Sequence, residues 1–239
     1  MTAAASRVVL TAAPEQARGI VVVLHGGRER SQAPVRGNQL AVLRMALTAN
    51  RVAAAAGRLV VARVVNQVRG WNGAAMAPVA DARAALDELR ERFGPDLPIC
   101  LVGHSLGGRT AMRVADAAGV RSIVGLAPWL PPGEPTAQLR DRQVLILHGT
   151  RDRTTSPSAS ADFARSIARQ GAAVSYVTVP GDGHGLMRRR NLVDGLTADF
   201  AVATLAGTSA DDLAGHRTTS GRDTRLLRSV LAGEPWLAA

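Results

Sequence analysis

A serine stands between two glycines in the sequence Gly-His-Ser-Leu-Gly at positions 103–107. The apolar run 99–102 precedes it and an alanine-rich stretch, 108–118, follows, a pattern that predicts a strand, a sharp turn and a helix around Ser105. The two glycines allow strand and helix to approach closely, because a side chain at either position would clash. The turn would aim the hydroxyl of Ser105 away from the sheet, an arrangement typical of a serine nucleophile.

A serine hydroxyl is a weak nucleophile unless a histidine takes its proton and a carboxylate orients that histidine. Asp152 lies just after the predicted strand 144–147, and His184 lies just after the next predicted strand, 174–179. Ligands of open parallel sheets bind at the carboxyl ends of the strands, and all three residues follow strand ends. We therefore expect Ser105, Asp152 and His184 to meet at that edge.

Asp182, two residues before His184, is the alternative acid. Its surroundings, Pro-Gly-Asp-Gly at 180–183, are also typical of a plain turn. The chain order of serine, then acid after the penultimate strand, then histidine favours Asp152.

Acyl transfer also requires N–H groups that stabilise the oxygen of a tetrahedral intermediate. The predicted strand 20–24 runs directly into His-Gly-Gly at 25–27, a loop of the kind that offers such groups. We expect Gly27 to be one donor, with Gly26 and Arg28 as alternatives. Leu106, the residue after the serine, is expected to be the second donor.

With these four motifs in this order, the chain resembles serine hydrolases of the α/β-hydrolase superfamily, in its esterase, lipase and thioesterase part, over about residues 18–205. The resemblance implies that Ser105 is the nucleophile, His184 the base, Asp152 its orienting acid, and Leu106 and Gly27 the oxyanion donors. It implies hydrolysis of a small-molecule carboxylic ester or thioester through an acyl-enzyme, with no cofactor. The alternatives are a peptidase or amidase with the same triad, and a non-catalytic binding protein on the same fold.

Predicted strands and helices alternate along the chain, which indicates an α/β fold with a mostly parallel central sheet and helices on both faces. A short proline-rich segment, 131–142, separates the predicted strands 122–126 and 144–147, so we expect no large cap domain. We assign residues 1–206 to the hydrolase domain and 207–239 to a polar linker and a short, partly helical tail. The predicted helix 38–56 carries Leu40, Leu43 and Leu47 on one stripe.

Two tryptophans follow predicted strand ends, Trp71 after the strand 59–65 and Trp129 after the strand 122–126. We expect them to form an apolar pocket for the acyl or alcohol group, together with Met187 and Leu130. The alternative is that both rings pack in the core.

The formal net charge is +10, and all 29 basic residues are arginine, with the densest run at Arg188–Arg190. No nucleic-acid-binding motif accompanies this charge, so we expect no nucleic-acid partner but an attraction for substrates that bear carboxylate or phosphate. No clustered metal ligands and no apolar run of about eighteen residues are present, which predicts neither a metal site nor a membrane span. One cysteine and no leader-like start are consistent with a cytoplasmic protein. The oligomeric state stays open.

Overall fold

The computed structural model describes residues 6–207 and 221–239. Within them, eight strands form one sheet in the order β1-β3-β2-β4-β5-β6-β7-β8, and six α-helices pack on it. The strands are β1 (Arg7–Ala12), β2 (Gly19–Leu24), β3 (Leu59–Val65), β4 (Ile99–His104), β5 (Val120–Leu126), β6 (Gln143–Gly149), β7 (Ala173–Val179) and β8 (Trp236–Ala238). The helices are α1 (Leu40–Ala55), α2 (Ala77–Phe93), α3 (Leu106–Arg113), α4 (Pro157–Ala168), α5 (Arg190–Ala206) and α6 (Gly221–Leu231).

Strand β1 pairs antiparallel with β3 at one edge, and every other neighbouring pair in the sheet is parallel. Parallel neighbours need crossover connections, which the helices between the strands provide. The predicted fold class, an α/β fold with a mostly parallel sheet and helices on both faces, is confirmed.

The sheet carries a hydrophobic core on each face. Strands β2 and β4 are buried along their whole length, which explains their continuous apolar sequence. Ile20, Val22 and Leu24 pack on one face with α2, α3 and α4, whereas Val21 and Val23 pack on the other with α1, α5 and α6. This alternation follows from the two-residue period of a strand, and it holds the centre of the sheet rigid under the site.

Helix α1 buries a different face from the one that carries its leucine stripe. Leu40, Leu43 and Leu47 are 84%, 46% and 39% exposed, whereas Met45 and Val52 are buried. Met45, Ala49 and Val52 pack in the core between the sheet and α5, whereas the leucines lie on the other side of the helix. The stripe therefore remains available on the surface of the protein.

The connection between β5 and β6, residues 127–142, contains a single short 3-10 turn, Ala137–Leu139. No cap of helices is inserted at this point of the described chain, in agreement with the sequence-based expectation. The carboxyl edge of the sheet is therefore open at this connection.

Residues 221–239 pack against the same sheet as the rest of the chain. Helix α6 buries Leu227 and Val230 in the core on the α5 side, and β8 adds a parallel strand beside β7. The centroid of the Trp236 ring lies 5.3 Å from the centroid of the Tyr176 ring. Most of the predicted linker, 208–220, lies outside the described residues. Among the described helices, none has the length and apolar content needed to cross a bilayer.

Candidate active site

Ser105 occupies the turn between β4 and α3 in a strained backbone conformation. Its φ is 55° and its ψ is −116°, values that a residue with a side chain rarely adopts. The surrounding backbone fixes this conformation, because the N–H of Ser105 donates to the carbonyl of Leu126 at 2.9 Å and its carbonyl accepts from the N–H of Trp129 at 3.0 Å. The hydroxyl is thereby held at the carboxyl edge of the sheet.

The glycines on either side of Ser105 are required by close backbone contacts. A Cβ atom on Gly103 would overlap the carbonyl of Gly107, and a Cβ atom on Gly107 would overlap the carbonyl of Leu24 in β2. The first turn of α3 therefore lies directly against β4 and β2. This contact is the physical reason for the spacing of the glycines around the serine.

The side chains of Asp152 and His184 meet after β6 and β7. The Nδ1–H of His184 donates to Oδ2 of Asp152 at 2.8 Å. The Asp152 side chain has no solvent exposure, whereas that of His184 is 23% exposed. His184 and Ser105 both line one cavity at this edge, so the structure brings the three predicted residues into one site.

The carboxylate of Asp152 is surrounded by donors. Its Oδ1 accepts from the N–H groups of Thr154 and Thr155 at 2.8 and 3.1 Å, and its Oδ2 accepts from the Thr155 hydroxyl at 2.8 Å. His148, fully buried on β6, donates from Nε2 to the same Oδ2 at 3.1 Å. Burial alone would raise the pKa of Asp152, but these hydrogen bonds outweigh it and hold that pKa below its usual value. Asp152 is therefore an anion at neutral pH.

Asp182, the alternative acid, has a different set of partners. Its carboxylate accepts from the backbone N–H groups of Gly183 and Arg189 at 2.9 and 3.0 Å, which ties the loop after β7 to the start of α5. The imidazole of His184 donates its hydrogen bond to Asp152 instead. Asp182 therefore shapes the loop that carries His184.

Two further side chains hold the backbone of this loop. Nε2 of His104 donates to the carbonyl of His184 at 2.9 Å, and Nε of Arg44 donates to the carbonyl of Gly185 at 2.8 Å. Arg44 lies on α1 and is itself buried in an ion pair with Asp194 of α5 at 3.0 Å. The position of the His184 ring thus depends on contacts from β4, α1 and α5.

The loop after β2 is positioned by His25. Its Nδ1 donates to the carbonyl of Gly26 at 2.7 Å, and its Nε2 accepts from the N–H of Asn66 at 3.2 Å. The N–H of Arg28 donates to the carbonyl of Arg69 at 2.8 Å and so is already engaged. Of the three candidate loop donors, Gly26 and Gly27 line the cavity beside Ser105. Leu106 is the first residue of α3, where N–H groups lack acceptors within the helix.

The cavity in front of Ser105 has a volume of about 530 Å³ and two kinds of wall. At one end lie Ser105, His184 and the Gly26–Gly27 loop. The other wall is formed by the exposed side of α1 and by Met187, with the lining residues Leu40, Ala41, Leu43, Leu47 and Met187. An apolar wall thus runs outward from the polar end of the cavity.

Trp71 and Trp129 lie outside this set of lining residues, which corrects the expectation that they form the apolar pocket. The guanidinium of Arg109 lies between the two rings, at 3.9 and 4.4 Å from their centroids. Arg109 is in turn ion-paired with Glu134. The ring faces are occupied by a cation, so they are unavailable to an acyl chain. Leu130 is likewise buried in the core, whereas Met187 lines the cavity.

The sequence analysis also missed the contributions of α1, His104, His148 and Thr155. A signal was present for α1, because its leucine stripe lies on the face opposite to Met45 and Val52. His148 begins the same His-Gly-Thr-Arg-Asp segment, 148–152, that ends with Asp152. Among the described residues, no group of three or more His, Cys, Asp or Glu side chains could hold a metal ion.

Comparisons with known proteins agree with this architecture. Residues 69–180 match a family model described as alpha/beta hydrolase fold. No curated protein matches the sequence. Solved structures do match, among them a putative alpha/beta hydrolase of unknown function from Agrobacterium tumefaciens, with a TM-score of 0.65, 18% identity and coverage of 84% of this chain and 91% of that one.

Two other similar structures carry more specific descriptions. A serine hydrolase without lid from Xanthomonas campestris has a TM-score of 0.58 and 19% identity, and the alignment covers 82% of this chain and 87% of that one. A monoacylglycerol lipase from Paleococcus ferrophilus has a TM-score of 0.62 and 17% identity, with coverage of 83% and 99%. At these identities the similarity establishes the fold.

The buried His104 predicts a pH-dependent loss of stability. Burial, reinforced by the neighbouring His184, lowers the pKa of His104 to about 3 from its usual value of 6.5. The imidazole therefore stays neutral in the folded state while the unfolded chain takes up a proton below pH 6.5, so stability falls as pH decreases from 6.5 towards 3. At pH 5 the loss from this group is about 2 kcal/mol.

We expect His104→Gln to lose less stability than the wild type between pH 7 and pH 5, as measured by urea unfolding at both values. This range lies above the pKa of about 3.9 of an unfolded aspartate, so the stability that ionised Asp152 contributes, which is also lost as pH falls, is still present at both pH values. Equal losses in the two proteins would contradict the assignment of a neutral, buried His104.

Proposed function

We propose that this chain, which belongs to the α/β-hydrolase superfamily, is a serine hydrolase that cleaves carboxylic ester or thioester bonds. The observation that carries the proposal is the meeting of Ser105 and His184 in one cavity, with His184 hydrogen-bonded to the buried Asp152 at 2.8 Å. Similar structures described as a serine hydrolase without lid and as a monoacylglycerol lipase are consistent with it.

In the proposed reaction, Oγ of Ser105 attacks the carbonyl carbon while Nε2 of His184 takes the hydroxyl proton. The N–H groups of Leu106 and Gly27 stabilise the oxyanion of the tetrahedral intermediate. Its collapse breaks the bond to the alcohol or thiol, which leaves with the proton from His184. Water then attacks the acyl-enzyme in the same manner and releases the acid and free Ser105.

Asp152 supports these reaction steps by remaining ionised throughout. When His184 takes the proton of Ser105, the imidazolium lies next to a carboxylate that is already ionised and oriented. The hydrogen bond at Nδ1 also fixes the tautomer of the ring, so that the other nitrogen, Nε2, is left to accept the serine proton. The donors around the carboxylate prevent it from rotating away from the ring.

The apolar wall supports an acyl group as the part of the substrate that lies along α1. Leu43, Leu47 and Met187 would each lose exposed apolar surface when an acyl chain binds beside them, which is favourable at roughly 0.8 kcal/mol per buried CH₂. The wall has an open side, since Leu40 remains 84% exposed. Short to medium acyl chains therefore fit it better than a long chain that needs complete burial.

The identity of the acid gives the first prediction. We expect Asp152→Asn to lower kcat about a thousandfold or more on p-nitrophenyl butyrate, because the imidazole loses both its orientation and its counter-charge. Asp182→Asn replaces one of the two oxygens that accept from loop N–H groups with an NH2 donor, so its main effect is a stability loss of about 1–3 kcal/mol. Steady-state kinetics and urea unfolding of both variants provide the measurement.

The pair of variants serves as its own control, because each exchanges one buried carboxylate for an amide. A larger loss of kcat in Asp182→Asn than in Asp152→Asn, at equal folded fraction, would reverse the assignment. If aminoacyl anilides were cleaved faster than esters by the wild type, the peptidase or amidase alternative would replace the esterase proposal.

The apolar wall gives the second prediction. Leu43→Gln and Leu47→Gln should lower kcat/KM about tenfold on p-nitrophenyl hexanoate and less than twofold on the acetate, because only the longer chain reaches these side chains. Trp236→Gln is the control, since Trp236 is 45% exposed, as Leu43 is at 46%, but lies on β8. Equal losses on both esters, or no loss on either, would place the acyl chain elsewhere.

A further inference from the structure

A second cavity of about 370 Å³ adjoins the catalytic cavity on the far side of the loop after β2. The two cavities share Gly26 and Gly27 and the first residues of α1, so they are two lobes of one cleft. The lobes differ in their residues, because one has the leucine wall and the other has two arginines and two amide residues in its lining. We call the second one the basic lobe; its remaining lining residues are Arg28, Val35, Asn38, Gln39 and Arg69.

The backbone holds the two arginines of the basic lobe on neighbouring extended segments. The N–H of Arg28 donates to the carbonyl of Arg69 at 2.8 Å, and the carbonyl of Arg28 accepts from the N–H of Trp71 at 2.9 Å. The N–H of Arg69 donates to the carbonyl of Ala33 at 3.0 Å. Both segments are therefore fixed where Arg28 and Arg69 line the lobe.

The arginines of the basic lobe differ in their ion pairing from other arginines near the site. Arg44 is paired with Asp194, and Arg109 and Arg113 share Glu134. Within residues 6–207 and 221–239, by contrast, no carboxylate lies within 4.0 Å of the guanidinium of Arg28 or of Arg69. Two cations without a carboxylate partner beside a catalytic cavity favour an anionic ligand.

We propose that the basic lobe binds an anionic group, a carboxylate or a phosphate, on the alcohol side of the ester substrate. The inference rests on the proposed function, because that function fixes the place of the ester. The carbonyl lies at Ser105 and the Gly26–Gly27 loop, which is the border between the two lobes. With the acyl chain along the leucines of α1, the alcohol moiety extends to the other side of this border, where Arg28 and Arg69 lie.

The amide side chains of Asn38 and Gln39 give the lobe further donors beside the two guanidinium groups. Arginine is suited to both candidate anions, since its planar donor pairs match carboxylate and phosphate oxygens. The net charge of +10 adds a general attraction for anions, but only the lobe selects where on the substrate the charge must lie. The substrate class is thus an ester with an apolar acyl group and an anionic alcohol part.

The test compares esters that differ only in charge. 4-(Butanoyloxy)benzoate carries a carboxylate on the leaving group, and 4-(butanoyloxy)benzamide is its neutral counterpart. We expect the wild type to prefer the anion about tenfold in kcat/KM, and Arg28→Gln or Arg69→Gln to lower that ratio about threefold or more. Arg121→Gln is the control, because it removes the same charge from an exposed residue at the start of β5, at the opposite edge of the sheet.

4-(Butanoyloxy)phenyl phosphate provides a phosphate in place of the carboxylate, and the larger of the two preferences identifies the anion. A ratio near one in the wild type, or a ratio that Arg121→Gln lowers as much as Arg28→Gln does, would overturn the inference. The inference would also be overturned if the enzyme preferred an anion on the acyl end of the substrate, as measured with phenyl hydrogen glutarate and phenyl butyrate.

Binding to Ser105→Ala separates this inference from the proposed function. Titration calorimetry should give a dissociation constant for 4-(butanoyloxy)benzoate about tenfold below that for the benzamide, and Arg69→Gln in the Ser105→Ala background should remove the difference. This readout does not depend on turnover. If the wild type cleaves neither ester but this difference in binding is present, the hydrolase proposal fails and the anion site stands. Cleavage of both esters with no difference in binding gives the reverse conclusion.

Discussion

The hydrogen bond between Asp152 and His184 is the interaction on which the rest of the site depends. A carboxylate without solvent exposure is costly unless donors surround it, and here they come from His148, His184, Thr154 and Thr155. Each donor belongs to the ends of β6 and β7 or to the segment that leads into α4. The loops that follow two adjacent strands are therefore locked to one another through a single anion, and the imidazole is held in place by that anion.

Helix α1 links this anion-centred network to the cleft. Its buried face packs on the sheet, and Arg44 crosses from it to Asp194 of α5 and to the loop that carries His184. Its exposed leucines form the apolar wall, and its first turn lies where the two lobes of the cleft meet. One element thus holds the loop that carries His184, forms the apolar wall and borders the basic lobe. A change in the position of α1 would alter the orientation of His184 and both halves of the cleft together.

The parts of the site that depend on local sequence were predictable. Strand, turn and glycine spacing around Ser105 are set by backbone contacts within a few residues, and the placement of Asp152 and His184 follows from the rule that parallel strands end at one edge. The fold class, and the meeting of Ser105, Asp152 and His184 at one edge of the sheet, could therefore be predicted without a structure. The chain order already favoured Asp152 over Asp182, and the structure adds the hydrogen bond from His184 to Asp152.

Features set by distant neighbours were not predictable. The leucines of α1 have the spacing of a buried face, but the available space beside β3 suits Met45 and Val52. Trp71 and Trp129 do lie after strand ends, but Arg109 fills the space between their rings. The three-residue strand β8 is too short for a periodic signal, and it exists because β7 offers a free edge. In each case a partner far along the chain decides which side of a residue faces solvent.

Labelling with a fluorophosphonate probe tests most directly whether this network activates Ser105. We expect the folded wild type to take up one probe, peptide mapping to place that probe on Ser105, and Ser105→Ala to take up none. His184→Ala should react far more slowly, because its serine keeps its proton. A folded wild-type protein that remains unlabelled, or labelling that persists in Ser105→Ala, would show that Ser105 is not the activated nucleophile.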